Sequence, residues 1–207
     1  MKQFLPSTIL SIFLLFAQQS HAQKAGLPYN RFTGEITQTK FVQTGQSREK
    51  SYNAIKAWIV KKYPNHRQLI RIDDAGSGQL VLQDTEPISS AKFKSFSYRV
   101  NIDIKDGNYT CTINTVKTLS PGADSYVTAD QDFSNMGMYG QDIDDIDREI
   151  SITKDKKELA KLFNERRVLT SFLRDYHKSH YVMDLHFTMI QNGIYQSVAG
   201  AGSLAAK

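Results

Sequence analysis

The sequence predicts an α+β fold: an antiparallel sheet of about five strands, with one helix after the first strand and further helices at the C-terminal end. Three observations predict it. Residues 93–116 alternate apolar and polar side chains on both sides of an Asp106-Gly107 turn. Residues 46–63 have the apolar spacing of a helix, and helical spacing returns over residues 154–198.

The first 22 residues have the pattern of a secretory signal peptide. Lys2 supplies a positive charge, residues 9–17 form an apolar core, and Ser20 and Ala22 are small residues where a signal peptidase requires them. The apolar run is shorter than the roughly 20 residues that span a bilayer. We therefore expect cleavage after Ala22, a mature chain without a transmembrane segment, and a periplasmic or secreted location.

Composition limits the function classes. The chain has 207 residues, of which 40% are hydrophobic and 23% are charged, as is typical of one globular domain. Its one cysteine, Cys111, excludes an intramolecular disulfide framework and any site built from several thiolates. The formal net charge is +5, but residues 123–149 carry eight acidic side chains and one basic one.

The first half of the chain is assigned to strands and one helix, from residue 33 to 117. Residues 33–42 alternate as a strand. The helix over residues 46–63 has Ser47 as its N-cap and ends because Pro64 prevents continuation.

Two short strands follow this helix. We predict them over residues 68–73 and 79–83, on either side of a turn at residues 75–78 whose glycines can adopt positive φ. A loop through Pro87 then leads to the hairpin.

The hairpin is the strongest local signal. A two-residue type I′ turn at Asp106-Gly107 would pair Ile104 with Tyr109 and Val100 with Ile113 on one apolar face, which also contains Cys111. The opposite face is then polar and open to solvent. Its polar side chains are our candidate ligand-binding residues, with Arg99 able to make a bidentate contact to a carboxylate: Arg99, Asn101, Asp103, Thr112 and Asn114.

The second half of the chain has less regular sequence. Residues 118–140 contain Pro, Gly and Asp without a sustained period, so we expect them to be a mobile loop. This loop is part of an acidic connection over residues 118–153. Helical patterns over 154–176 and 182–198 form a C-terminal extension, and residues 199–207 are expected to be a flexible tail.

The order strand, helix, then four strands behind a signal peptide resembles a secreted bacterial domain of unknown function with a TBP-like fold, found in Bacteroidetes-type organisms. The helix that ends at Tyr63-Pro64 and the hairpin over residues 102–109 carry the resemblance, which covers residues 33–117. The resemblance implies the fold, no catalytic residues and a short helical ending after Gly122, whereas this chain continues to residue 207.

Two S-x-x-K sequences, at Ser47 and Ser151, match the nucleophile motif of penicillin-interacting enzymes. The SDN and KTG partners of that motif are missing, and the chain is short for that fold. Both serines are better explained as N-caps at helix starts.

Two clusters could in principle bind metal. His177, His180 and His186 lie close in sequence, but without an H-E-x-x-H pattern a solvated helix end explains them better. The carboxylates of residues 142–147 have Ile146 where a Ca²⁺ loop requires an oxygen ligand, and acidic residues also favour helix N-termini. The sequence therefore assigns no metal and no cofactor.

Nucleic acid is a weak candidate partner. The isoelectric point is near 9.2, but the predicted polar face has no aromatic side chains, on which minor-groove and single-strand binders rely. We therefore expect a non-catalytic envelope module that holds a peptide, a glycan or a partner protein on this face, or on the acidic connection. The alternative is a small envelope hydrolase whose polar residues converge only in three dimensions.

Overall fold

The computed structural model describes residues 27–28, 30, 33, 35–88 and 92–203. The predicted signal peptide, residues 1–22, and the last part of the predicted tail, residues 204–207, lie outside the described residues. The predicted α+β class is confirmed: helices cover one face of an antiparallel sheet.

The sheet has six strands in the described part of the chain. They are β1 (Gln38–Gln43), β2 (Ile70–Asp74), β3 (Gln79–Pro87), β4 (Ser95–Lys105), β5 (Asn108–Leu119) and β6 (Val127–Thr128). The helices are α1 (Arg48–Lys62), the single turn α2 (His66–Leu69), α3 (Asp130–Ile152) and α4 (Lys156–Ser203).

Strand order across the sheet is β1-β5-β4-β3-β2, and every pairing is antiparallel. The short strand β6 pairs with the C-terminal half of β5, beyond the end of β1. The long hairpin of β4 and β5 therefore forms the centre of the sheet, with the preceding strand β3 on one side and β1, from far earlier in the chain, on the other.

The predicted hairpin register is confirmed. Ile104 pairs with Tyr109, Ile102 with Cys111, and Arg99 with Asn114. The predicted turn type is wrong, because a type I′ turn needs positive φ at both central residues and only Gly107, at 82°, has it. As predicted, Cys111 is fully buried, and this burial raises the pKa of its thiol to about 12.

The hairpin turn is held from outside by the segment between β1 and α1. The amide of Gly107 donates to the carbonyl of Gln46, and the carbonyl of Gly107 accepts from the amide of Thr44, both at 2.8 Å. Oδ1 of Asp106 accepts from the free amide of Arg48 at the start of α1, also at 2.8 Å. These contacts satisfy backbone groups of the turn without a type I′ geometry.

Helix α1 agrees with its sequence signals. The Ser47 hydroxyl accepts from the amide of Lys50, as an N-cap does, and the helix ends immediately before Tyr63 and Pro64. Tyr52, Ile55 and Ile59 are buried against the sheet. The apolar spacing predicted over residues 46–63 therefore corresponds to the buried side of α1.

Helix α4 is one continuous helix, where the sequence predicts two separated by residues 177–181. Those residues contain no Pro or Gly, so nothing in the backbone ends the helix there. Its second half packs on the sheet and on α1. The buried positions recur every three or four residues: Met183, Phe187, Ile190, Ile194 and Val198.

The prediction of an irregular connection is wrong from residue 130 onwards, because α3 occupies Asp130–Ile152. A buried contact outside the local sequence explains the difference: the Thr118 hydroxyl donates to Oδ2 of Asp132 at 2.9 Å. Tyr139 also packs against the core and stacks on Phe172 of α4. Helices α3 and α4 form an antiparallel hairpin.

The interpretation of Ser151, in the second S-x-x-K sequence, as an N-cap is wrong. Ser151 lies in the last turn of α3, where its hydroxyl donates to the carbonyl of Arg148. The cap of α4 is Asp155, whose Oδ1 accepts from the amides of Lys157 and Glu158.

The crossing of α1 and α4 depends on a residue without a side chain. A Cβ on Gly193 would lie 2.4 Å from Cζ2 of Trp58, which is closer than carbon atoms pack. The Trp58 ring is itself held edge-on against Tyr63, so it has little room to move. Gly193 therefore lets the two helices approach closely above the sheet.

We expect Gly193→Ala to lower the free energy of unfolding by about 1–3 kcal/mol through overpacking, partly offset by about 0.5–1 kcal/mol of helix propensity. Gly137→Ala, in an open position of α3, is the matched control and should stabilise slightly. Urea unfolding of the two variants measures both effects. A Gly193→Ala protein as stable as the Gly137→Ala protein would contradict this account of the crossing.

Candidate functional site

The five candidate binding residues lie on one face of the sheet, opposite the helices. On β4, Arg99, Asn101 and Asp103 alternate with buried residues, and on β5 Thr112 and Asn114 do the same. We call this surface the outer face. It also includes the outward side chains of β1 and β3, namely Thr39, Phe41, Val81, Gln83 and Thr85.

Hydrogen bonds between side chains fix the centre of the outer face. Nδ2 of Asn101 donates to Oδ1 of Asn114 at 3.1 Å across the β4–β5 pair. The hydroxyls of Thr39 and Thr112 are 3.2 Å apart across the β1–β5 pair. Three of the five candidate residues, Asn101, Thr112 and Asn114, are therefore held in place before any ligand arrives.

Arg99 is the exposed cation at the centre of the outer face. In the part of the chain that the structure describes, it forms no ion pair. Its guanidinium is thus available for a bidentate contact with a carboxylate or phosphate. Asp103, four residues further along β4, is exposed as well.

A groove of about 580 Å³ opens at one end of the outer face. We call it the bulged groove. Its floor includes Gln83, Thr85 and Ser97, and its walls include Arg71 on one side and Lys117 with Tyr126 on the other. Asn65, Gln68, Leu69 and Asp84 complete the lining.

Two β-bulges determine the direction of the side chains that form the walls of this groove. Arg71 is the extra residue of a bulge in β2, between the pairs Ile70–Leu82 and Ile72–Val81. A second bulge in β5 places two residues opposite Tyr98, just before Lys117. Bulges redirect side chains and are frequent beside functional sites.

The β5 bulge contains backbone strain. Thr115 has φ of 54°, a left-handed value that a β-branched side chain adopts at a cost of about 1–3 kcal/mol. The Thr115 hydroxyl donates to Oδ1 of Asn114, the same atom that accepts from Asn101. The strained residue therefore connects the centre of the outer face with the bulged groove.

A second polar cluster lies between the sheet and α4. The hydroxyl of Tyr98 is 2.8 Å from Nε2 of His186 and 3.2 Å from Oδ2 of Asp84. Burial raises the pKa of Tyr98 and raises the pKa of Tyr63 to about 12. Burial also lowers the pKa of His186. Because Tyr98 is fully buried, this cluster joins α4 to β3 and β4 and does not present a reactive hydroxyl to solvent.

The interpretation of the histidines as a solvated helix end is wrong for His180 and His186. All three histidines lie inside α4, and only His177 is exposed. The His180 ring stacks on Phe93 in the core, and burial lowers its pKa to about 4, with a smaller contribution from His177. Among the described residues, no group of three or more His, Cys, Asp or Glu side chains is placed to hold a metal ion.

The acidic residues 142–147 do not enter a helix from its N-terminus, as the sequence suggested. They lie inside α3, where Asp147 accepts from Nε of Arg166 on α4 at 2.5 Å. This ion pair lowers the pKa of Asp147.

Comparison with known proteins agrees with the fold. Residues 38–118 match the family described as a domain of unknown function (DUF4468) with TBP-like fold, so the resemblance seen in the sequence is confirmed. No curated protein matches the chain. In the described part of the chain, no helix combines the length and apolar character needed to cross a membrane.

Two solved structures are similar to this chain. A DUF4468 family protein from Bacteroides ovatus is 14% identical with a TM-score of 0.40, over 53% of this chain and 67% of that one. A TBP-like protein from Parabacteroides distasonis is 15% identical with a TM-score of 0.47, over 82% of this chain and 97% of that one.

The burial of His180 predicts a pH dependence of stability. The pKa of His180 is about 4 in the folded protein and 6.5 in the unfolded chain. Its contribution to the free energy of unfolding is therefore complete above pH 6.5 and is lost as the pH falls towards 4. The loss amounts to about 3 kcal/mol. His180→Gln should remove it, so the difference in unfolding free energy between wild type and variant should shrink on acidification.

Chemical denaturation of both proteins at pH 7.5 and pH 4.5 measures this difference. Comparing the two proteins is necessary because Asp132, whose pKa burial raises to about 6, acts in the opposite direction over the same range. Parallel pH profiles for wild type and variant would show that His180 does not carry the effect.

Proposed function

We propose that the protein is a non-catalytic binding module of the periplasm or cell exterior, and that its outer face holds an envelope glycan, peptide or protein. One observation carries the proposal. Helices α1 and α4 both cover the inner face, so the outer face is left open with polar side chains that are already fixed by hydrogen bonds.

The chemistry of the outer face supports binding over simple solubility. A solvent-exposed sheet face needs no particular side chains and is commonly covered by long, mobile Lys and Glu. Here the central positions carry short amides and hydroxyls, with Arg99 as the long cation among them. Short side chains lose little entropy when they contact a ligand.

The proposed location follows from the N-terminal signal pattern in residues 1–22. Export also bears on the partner class, since a protein outside the cytoplasm does not meet the usual nucleic-acid ligands. The outer positions of β4 and β5 carry no aromatic side chain for base stacking. The exposed Phe41 lies on β1, at the sheet edge.

Among the described residues, the cluster of Tyr98, His186 and Asp84 is a candidate for a hydrolase site, because it brings a hydroxyl, an imidazole and a carboxylate together. The hydroxyl of that cluster is buried and its pKa is raised, so it is a poor nucleophile. The outer face is therefore the better candidate.

We expect the double variant Arg99→Ala, Asn101→Ala to bind the envelope ligand at least about tenfold more weakly, because a charge-assisted contact and an amide contact are lost. Its thermal midpoint should fall by no more than about 4 °C, since Arg99 is exposed and the half-buried Asn101 loses one hydrogen bond worth about 1 kcal/mol. The ligand is first recovered by passing native envelope extract over immobilised protein and identifying what is retained by mass spectrometry.

The matched control is Arg167→Ala, Asn164→Ala, which removes a hydrogen-bonded Arg and Asn pair from the exposed side of α4. This control should retain the ligand as wild type does. Equal retention by the Arg99 and Asn101 variant would exclude the outer face and direct attention to the acidic helix α3.

A further inference from the structure

The floor of the bulged groove consists of side chains that both donate and accept hydrogen bonds. Gln83, Thr85 and Ser97 have this property and lie on adjacent strands. Sugar hydroxyls also donate and accept, so this floor is complementary to a saccharide. Backbone amides and carbonyls of a peptide would instead pair best with an open strand edge.

The walls of the groove carry positive charge. Arg71 and Lys117 approach it from strands on opposite sides of β3 and β4, and within the described residues neither forms an ion pair. The carboxylate in the lining, Asp84, already accepts from the Thr85 amide at 2.8 Å and from Tyr98. The two cations outnumber this single carboxylate, so the lining of the groove has a net positive charge.

An aromatic ring stands at the rim. Tyr126 is 37% exposed, and its hydroxyl is 2.8 Å from the Ser95 hydroxyl, which fixes the ring beside Lys117. A fixed ring with an exposed surface suits the apolar face of a pyranose. The volume of about 580 Å³ lies in the range of small-ligand sites.

We propose that the bulged groove binds an acidic oligosaccharide, with sugar rings against Tyr126 and the floor, and with carboxylates of successive units at Arg71 and Lys117. This inference rests on the proposed function and names the ligand class of the same surface. It also accounts for the two bulges and the strained Thr115, which direct the walls of the groove.

The test is isothermal titration calorimetry with trigalacturonate as the probe. The variant Arg71→Gln, Lys117→Gln removes both charges but keeps polar side chains of similar length. It should bind trigalacturonate at least about tenfold more weakly, and wild type should bind the neutral methyl ester more weakly by a similar factor. Tyr126→Leu should also weaken binding. Thermal midpoints of all variants confirm that they are folded.

The control Arg167→Gln, Lys178→Gln removes the same charge from an exposed part of α4 and should bind as wild type does. The inference is overturned if wild type does not bind trigalacturonate, if the groove variant binds it equally well, or if hexaglutamate binds as tightly, which would indicate an acidic peptide site. Envelope retention that still depends on Arg99 and Asn101 would show that only the groove assignment has failed and that the proposed function stands.

Discussion

The Asp106-Gly107 turn is the constraint on which the rest of the structure depends. It sets the pairing of β4 with β5, and a shift of one residue would move every apolar side chain of the hairpin to the solvent side. Four hydrogen bonds also join it to the segment that leads into α1. The same turn therefore fixes which face of the sheet is buried and where α1 begins. Since α4 crosses α1 at Gly193, the position of the longest helix follows from that placement.

The elements that could be predicted from the sequence are those determined by residues close together in the chain. The alternation around Asp106-Gly107 and the Ser47 cap of α1 act within a few residues, so both were predicted correctly. Helix α3 was missed because Gly137 and Gly140 interrupt its pattern, and because the buried contact between Thr118 and Asp132 that supports it joins segments on either side of a loop. In α3, tertiary packing therefore outweighs the low helix propensity of the local sequence.

In the candidate site, too, residues close together in the chain could be predicted and residues brought together by the fold could not. The central residues Arg99, Asn101 and Asn114 were identified because they share one hairpin. The bulged groove could not be found in this way, because Arg71, Lys117 and Tyr126 lie on segments whose proximity depends on the order of strands across the sheet. In the sequence, the groove is marked only by a break in the alternation of apolar and polar residues at the two bulges. Such a break does not show which side chains the bulge redirects.

The distribution of charge supports the choice of the outer face over the acidic segment. Residues 123–149 carry eight acidic side chains and one basic one. They fold mainly into α3, which lies beside the basic first half of α4. There Asp147 pairs with Arg166, and Asp145 pairs with Arg148 on α3 itself. Part of the negative charge is thus neutralised inside the helical hairpin. On the sheet, Arg71, Arg99 and Lys117 form no ion pair among the described residues, although Asp103 shares the outer face and Asp84 lines the groove. A negatively charged ligand therefore finds cations without an ion-pair partner at the outer face and in the bulged groove, beside side chains that form hydrogen bonds.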